Sequence, residues 1–196
     1  RPVIATFHDI YWKWNSGRFS LLYNPLLGKL LEFSWLRQRF TATIANSFKT
    51  KEKLYGLGFK GPVSVIPSGI DPTLINNVTA RKKKNTVVYV GRLVSYKHVD
   101  HLIREFQKVT EVIPKAELHI VGSGPCEKEL RLLARSLRVR SVFHGFVSEK
   151  KKIKIIKSSD VLVNPSSVEG LGLILLESMM CGTAVIAKEL DCYFFC

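Results

Sequence analysis

The sequence predicts an α/β fold of parallel, Rossmann-like sheets, and three observations carry that expectation. Short apolar, β-branched runs alternate with helical stretches through the second half of the chain. Runs such as Val161-Leu-Val163 are apolar throughout, as a strand covered on both faces requires. Glycines follow several runs, directly at Gly91 and at Gly122 and Gly124, and a few residues on at Gly170 and Gly172. In such sheets, ligands bind at the carboxyl ends of the strands, where these turns would lie.

In chain order, Pro2 to Phe7 reads as a strand, Leu26 to Arg39 as a helix and Ala42 to Ala45 as a strand. A helix from Lys49 to Tyr55 and a strand from Val63 to Ile66 follow. The polar stretch from Asp71, ending in Arg81-Lys-Lys-Lys84, reads as a connection between domains. The expected division is a first domain 1–74, a linker 75–84 and a second domain 85–196. Thr86 to Val90 is the next strand, with a helix from Val99 to Val109 behind it. Glu117 to Val121 is a strand, and Leu130, Leu133 and Leu137 mark an apolar stripe on a helix from Pro125 to Leu137. Ser141 to His144, a helix from Glu149 to Lys157, and Val161 to Val163 continue the alternation. A last helix begins near Leu171, with Leu173, Leu176 and Met180 at helical spacing. Gly182 stops it before the strand Ala184 to Ala187. No internal repeat is evident.

Composition narrows the function classes. The 196 residues are 46% hydrophobic and 23% charged, enough apolar material for a core. Lys and Arg number 30 against 16 Asp and Glu, a net +14, which attracts an anion: a nucleotide phosphate, an acidic lipid surface or a nucleic acid. Cys126, Cys181, Cys192 and Cys196 show no C-x-x-C spacing, so reduced thiols and a cytoplasmic setting are expected, with no metal. No apolar run approaches the roughly 18 residues needed to cross a bilayer. The chain begins at Arg1, which points to a piece of a longer protein.

The most informative stretch runs from Asn164 to Ala187. Glu169 and Glu177 stand there about two helical turns apart, with Gly170 and Gly172 between them. A strand, a glycine turn and a helix N-terminus form a corner of free N–H groups that suits an anion. Two carboxylates in the same corner suit hydroxyls, since one carboxylate can accept two hydroxyl protons. A ligand bearing both phosphates and hydroxyls is a nucleotide sugar.

Glu169-Gly-Leu-Gly-Leu-Ile-Leu-Leu-Glu177, followed by Met180-Cys-Gly-Thr-Ala-Val-Ile-Ala187, closely resembles the retaining glycosyltransferases of family 4, which have the GT-B fold. The resemblance extends from about Ile4 to Ala187. Against that family, the first domain lacks its opening strands and glycine-rich loop. The second stops after Ala187, and Asp191-Cys-Tyr-Phe-Phe-Cys196 has no counterpart.

The resemblance implies roles. Arg92 and Lys97, in Gly91-Arg-Leu-Val-Ser-Tyr-Lys97, would grip the donor diphosphate and stabilise the charge of the leaving group in place of a metal. Solvated surface charges are the plain alternative. His98 follows where many relatives have glycine. Glu177 would hold the ribose hydroxyls, and Glu169 would lie near the transferred sugar; ordinary helix carboxylates are the alternative. Gly170, Leu171 and Gly172 would offer N–H groups. Gly122 and Gly124 would allow close approach at the diphosphate, or simply make a turn. Phe146 and Val147 would meet the base through backbone. His8 would face the donor sugar, or be a satisfied strand-end histidine. In Ser68-Gly69-Ile-Asp71, similar to the family's Asn-Gly-Val-Asp, Gly69 would lie near the ligand and Asp71 would organise the domain junction.

Two surfaces invite other partners. Glu149-Lys-Lys-Lys-Ile-Lys-Ile-Ile-Lys157 places Ile153 and Ile156 on one face and lysines around it, which suits a helix docked on the sheet or an anionic membrane. Trp12, Trp14, Phe19 and the stretch 26–40 are aromatic and amphipathic, as a core or a membrane-facing surface would be. The expected function is transfer of a sugar from a UDP- or GDP-sugar to a glycan or glycolipid acceptor, with retention and without a metal. Alternatives are a non-catalytic nucleotide-sugar-binding remnant and a nucleic-acid-binding protein. The scattered basic residues and the lack of an aromatic-interleaved RNA motif speak against nucleic acid, and an epimerase fits the paired glutamates poorly.

Overall fold

The computed structural model describes residues 3–8, 40–169 and 171–190. The expected helix Leu26 to Arg39, the aromatic residues Trp12, Trp14 and Phe19, Gly170 and the ending 191–196 lie outside the described residues. The described chain divides into two compact units. The larger comprises 70–168 and 172–190; the smaller comprises 3–8, 40–69, 169 and 171.

In the smaller unit, β1 (Ile4–Phe7), β2 (Ala42–Ala45) and β3 (Ser64–Val65) pair in parallel in that order. Helix α1 (Phe48–Gly56) starts where Ser47 caps it, its Oγ accepting from Thr50 N at 3.1 Å. Ala45, Leu54, Phe59 and Val63 close the core, with Phe7 and Phe40 against them.

The larger unit opens with α2 (Pro72–Asn76) and continues with β4 (Thr86–Val90), a 3-10 turn (Ser95–Lys97) and α3 (Val99–Val112). Then come β5 (Glu117–Val121), α4 (Glu127–Ser136), β6 (Ser141–Gly145) and α5 (Glu149–Ser158). The unit closes with β7 (Val161–Asn164), α6 (Leu173–Met180) and β8 (Ala184–Ala187). All five strands are parallel, in the order β6-β5-β4-β7-β8. The chain winds outward from β4 through β5 to β6, then returns to the other side of β4 for β7 and β8. Strand order therefore reverses between β4 and β7.

Alternation along the strands separates two faces. On one, Tyr89, Leu118 and Ile120 pack with Ile103 and Phe106 of α3 and Leu130 of α4, all buried. On the other, Ile153 and Ile156 of α5 pack with Ile75, Val78 and Cys181.

That second cluster corrects the expected linker at 75–84. Ile75 and Val78 are each 3% exposed. Lys157 Nζ donates to the carbonyls of both, at 2.6 and 2.7 Å. Lys82 Nζ donates to Ser159 O at 2.6 Å and to Thr183 Oγ1 at 3.1 Å, and Lys83 N donates to Ser158 O at 2.8 Å. The stretch is a strap on the sheet's helical layer. Two large apolar residues, Ile75 and Val78, among mostly polar ones give too weak a periodicity to show this. Asp71 organises the start of the strap, as its Oδ1 accepts from Thr73 N at 2.8 Å and caps α2. These hydrogen bonds, side chain then backbone, hold its carboxyl below the usual pKa of 3.8.

Candidate functional site

Where strand order reverses in an open parallel sheet, the connections leave in opposite directions and a crevice opens at the carboxyl ends. Here the flanking strands are β4, followed by Gly91 to Lys97, and β7, followed by the glutamate-bearing loop. The two loops are joined, since Ser167 N and Oγ donate to Tyr96 O at 3.0 and 3.1 Å.

The neighbouring loops are tied in a row. Gly91 N donates to Val121 O at 3.0 Å, Leu93 N to Ser123 O at 3.0 Å, and Gly122 N to Gly145 O at 2.8 Å. This tightness explains the glycines. A Cβ on Gly122, where φ is +127°, would lie 1.9 Å from Gly91 O, and one on Gly124 would lie 2.3 Å from Leu93 O. Their small size is thus required by backbone meeting backbone, which favours the plain reading of these two residues.

Arg92 and Lys97 are arranged around Tyr96. The Arg92 guanidinium donates to Tyr96 Oη. It lies 5.9 Å from the ring centre, and the Lys97 ammonium lies 5.7 Å from it. Tyr89 Oη donates to Arg92 O at 3.0 Å and fixes the backbone beneath the pair. His98 then takes the left-handed conformation, φ 50° and ψ 38°. A left-handed turn suits the glycine of the family pattern; for a side chain it costs about 1–2 kcal/mol.

Glu177 lies in the second turn of α6, with 22% of its side chain exposed. Its Oε2 is 2.7 Å from Lys152 Nζ, which is also 2.7 Å from Glu149 Oε2. Burial disfavours the Lys152 charge, but the two carboxylates outweigh it and hold its pKa above the usual 10.5. Glu177 Oε2 is thus buried against that ammonium.

The carboxyl edge of the larger unit thus carries Gly91, Arg92, Lys97, Gly122, Gly124, Phe146 and Val147. The helix behind the β7 loop adds Gly172, its left-handed start at φ 68°, and Glu177. Phe146 is 88% exposed, and Val147 is half-buried. His8, Gly69, Glu169 and Leu171 belong to the smaller unit. His8 is exposed just past β1, and Leu171 is buried. Sequence reasoning missed Tyr96, Ser167 and Lys152. Lys152 had one signal: with Glu149 and Ile156 it falls on a stripe of helical spacing beside the buried isoleucines.

One group of side chains among the described residues resembles a cation site. Ligand atoms of His98, Asp100 and His101 lie within 4.8 Å of one another.

Comparisons with known proteins agree with this geometry. Residues 71–193 match the family described as Glycosyl transferases group 1, and residues 1–74 match Glycosyltransferase Family 4. The chain is 30% identical over 178 residues to an uncharacterized glycosyltransferase of Haemophilus influenzae, covering 89% of this chain and 49% of that protein. It is 29% identical over 199 residues to the phosphatidyl-myo-inositol mannosyltransferase of Mycobacterium tuberculosis, covering 98% of this chain and 50% of that one. Among solved structures, Anabaena HepE in complex with UDP and glucose aligns with a TM-score of 0.76 at 20% identity, over 98% of this chain and 54% of that one. The chain spans about half the length of these curated relatives. It belongs to the group 1 glycosyl transferases and has the α/β fold of the GT-B type.

Proposed function

We propose that the protein transfers a sugar from a UDP- or GDP-sugar to a glycan or glycolipid acceptor, with retention of configuration. The observation that supports this best is the Glu177 carboxylate in the helix behind the β7 loop, partly exposed and held 2.7 Å from the Lys152 ammonium. A carboxylate fixed in this way can accept the hydroxyls of a ribose. The base would lie along Phe146 and Val147.

In the reaction, the bond between the anomeric carbon and the β-phosphate oxygen breaks, and its electrons stay with the nucleoside diphosphate. Arg92 and Lys97 would meet that growing charge, and two fixed cations can do so without a metal ion. The acceptor hydroxyl would attack from the face that the diphosphate leaves, giving its proton to the departing phosphate oxygen. His8 and Glu169 would face the transferred sugar. The names of two similar proteins support donor and acceptor classes: HepE holds UDP and glucose, and the mycobacterial enzyme is a phosphatidyl-myo-inositol mannosyltransferase. Exposed Lys150, Lys151 and Lys154 on α5 suit an acidic lipid surface beside such an acceptor. By this reading the protein works in the cytoplasm, at the inner face of a membrane.

Calorimetric titration with UDP-, GDP- and ADP-sugars, beside Glu177→Ala, tests the donor site. Saturable binding of one nucleotide sugar, weakened at least about tenfold in the variant, is expected. Equal binding by wild type and variant would remove Glu177 from the site, and transfer to an acceptor is assayed alongside.

A further inference from the structure

A partly buried chain of three ionisable side chains lies on the sheet beside the proposed base contact. His119 Nδ1 is 2.8 Å from His144 Nε2, and His119 Nε2 is 2.9 Å from Glu117 Oε2. The imidazole rings stack at 5.0 Å, and the His119 side chain is only 10% exposed. The chain exists because β6 is irregular. Ile120 pairs with Phe143, but Val121 pairs with Gly145, which leaves His144 as an extra residue between them. Such a bulge re-aims a side chain, and here His144 meets His119. Gly145 follows at φ +66°, its carbonyl accepts from Gly122 N, and the chain enters Phe146 and Val147.

Proton counting shows what this arrangement tolerates. The ionised Glu117 carboxylate only accepts, so His119 Nε2 donates to it. The contact between the rings needs one proton between two nitrogens. That proton sits on His144 when His119 is neutral, or on His119 when His119 is charged. One added proton therefore leaves the contact intact. A second would set N–H against N–H at 2.8 Å, and the contact must open.

We propose that His119 and His144 are positioning residues of the nucleotide site, a pair that holds the bulge closed with up to one added proton and releases the Phe146–Val147 turn on the second. This rests on the reading that the base lies against that turn. The charged groups facing His144 are His119 and Glu117 on β5, Lys151 on α5 and Lys83 ahead of β4. Burial, then His119 and Lys151, push His144 below the usual 6.5; Glu117 pulls the other way, and Lys83 adds to the push. The folded chain thus resists a proton that the unfolded chain accepts near 6.5. The contribution to stability is complete above that pH and is lost as pH falls below it.

The test titrates the wild-type chain and His144→Gln with a UDP- or GDP-sugar from about pH 8 to about pH 5, beside NMR titration of both imidazoles. A sugar ester of a diphosphate takes up no proton in that range, so any pH effect belongs to the protein. The wild type is expected to lose at least about tenfold in affinity toward pH 5 while the glutamine variant, which bonds but does not titrate, stays nearly flat. The wild-type imidazoles should titrate in two separated steps. Independent single-step titrations near 6.5, or the same pH profile in both proteins, overturn the proposal. Two-step titration with no nucleotide-sugar binding at any pH would establish the coupled pair and count against the donor site instead.

Discussion

The two faces of the larger sheet are built on opposite principles. One is largely apolar: Tyr89, Ile103, Phe106, Leu118, Ile120 and Leu130 meet without an acidic or basic side chain among them. The other interleaves its isoleucines with ionic and hydrogen-bonded chemistry. Lys152 lies between Glu149 and Glu177, Lys157 and Lys82 reach backbone carbonyls, and His119 joins His144 to Glu117. Burying polar groups is tolerable only when each finds a partner. The comparison teaches that cohesion is concentrated on the first face, while the second accepts weaker packing in return for aimed charges. Glu177 Oε2, buried against the Lys152 ammonium, lies on that second side.

Breaking the first face should have the largest effect. Phe106→Ala removes a side chain that is 2% exposed and should lower unfolding free energy by about 3–5 kcal/mol. Chemical denaturation measures this, and the nucleotide-sugar affinity of the remaining folded fraction should be unchanged. A smaller loss, under about 1 kcal/mol, would show that this face is not the main source of cohesion.

Lys152→Met attacks the second face with little change of volume. It leaves Glu149 and Glu177 without their shared cation and should cost about 1–3 kcal/mol near neutral pH. Donor binding should fall with it, because Glu177 loses the group that aims it. In the wild type, the raised Lys152 pKa stabilises the fold at all pH values below 10.5, and the contribution is lost only as pH climbs past the folded value. Wild type and variant should therefore converge in stability only in strong alkali. Convergence near neutral pH would mean that the ion pair adds nothing to the fold.

The smallest effect belongs to the loop between the faces. His98→Gly relieves a left-handed residue at φ 50° but adds freedom to the unfolded chain. A net gain of at most about 1 kcal/mol is expected, read as a modest rise in Tm. A drop would show that the ring contact between His98 and His101, 5.0 Å between centres, outweighs the backbone strain.

Much of this was legible in the sequence for identifiable reasons. Thr86 to Val90, Glu117 to Val121 and Ala184 to Ala187 match the observed strands residue for residue, because apolar runs bounded by turn residues leave little freedom. Arg92 and Lys97 stand out as candidates because motif and position after a strand agree, and Glu177 because of its spacing from Glu169. Three things were hidden. The bulge at His144 depends on pairing with another strand, and local periodicity carries no trace of it. The partnership of Lys152 with Glu177 spans two helices far apart in sequence. Gly122 and Gly124 looked like ligand-facing glycines, and only the packing of neighbouring loops shows what each avoids.

The strap formed by residues 75–84 has a practical consequence for anyone dividing this chain. A fragment begun at Thr86 would start neatly at a strand, yet it would strip Ile75 and Val78 from Ile153 and Ile156 and leave the Lys157 ammonium without its two carbonyls. A fragment begun at Ile70 would keep all of these, together with the Asp71 cap. The difference between a soluble fragment and an aggregating one therefore rests on some fifteen residues that composition alone marks as dispensable spacer.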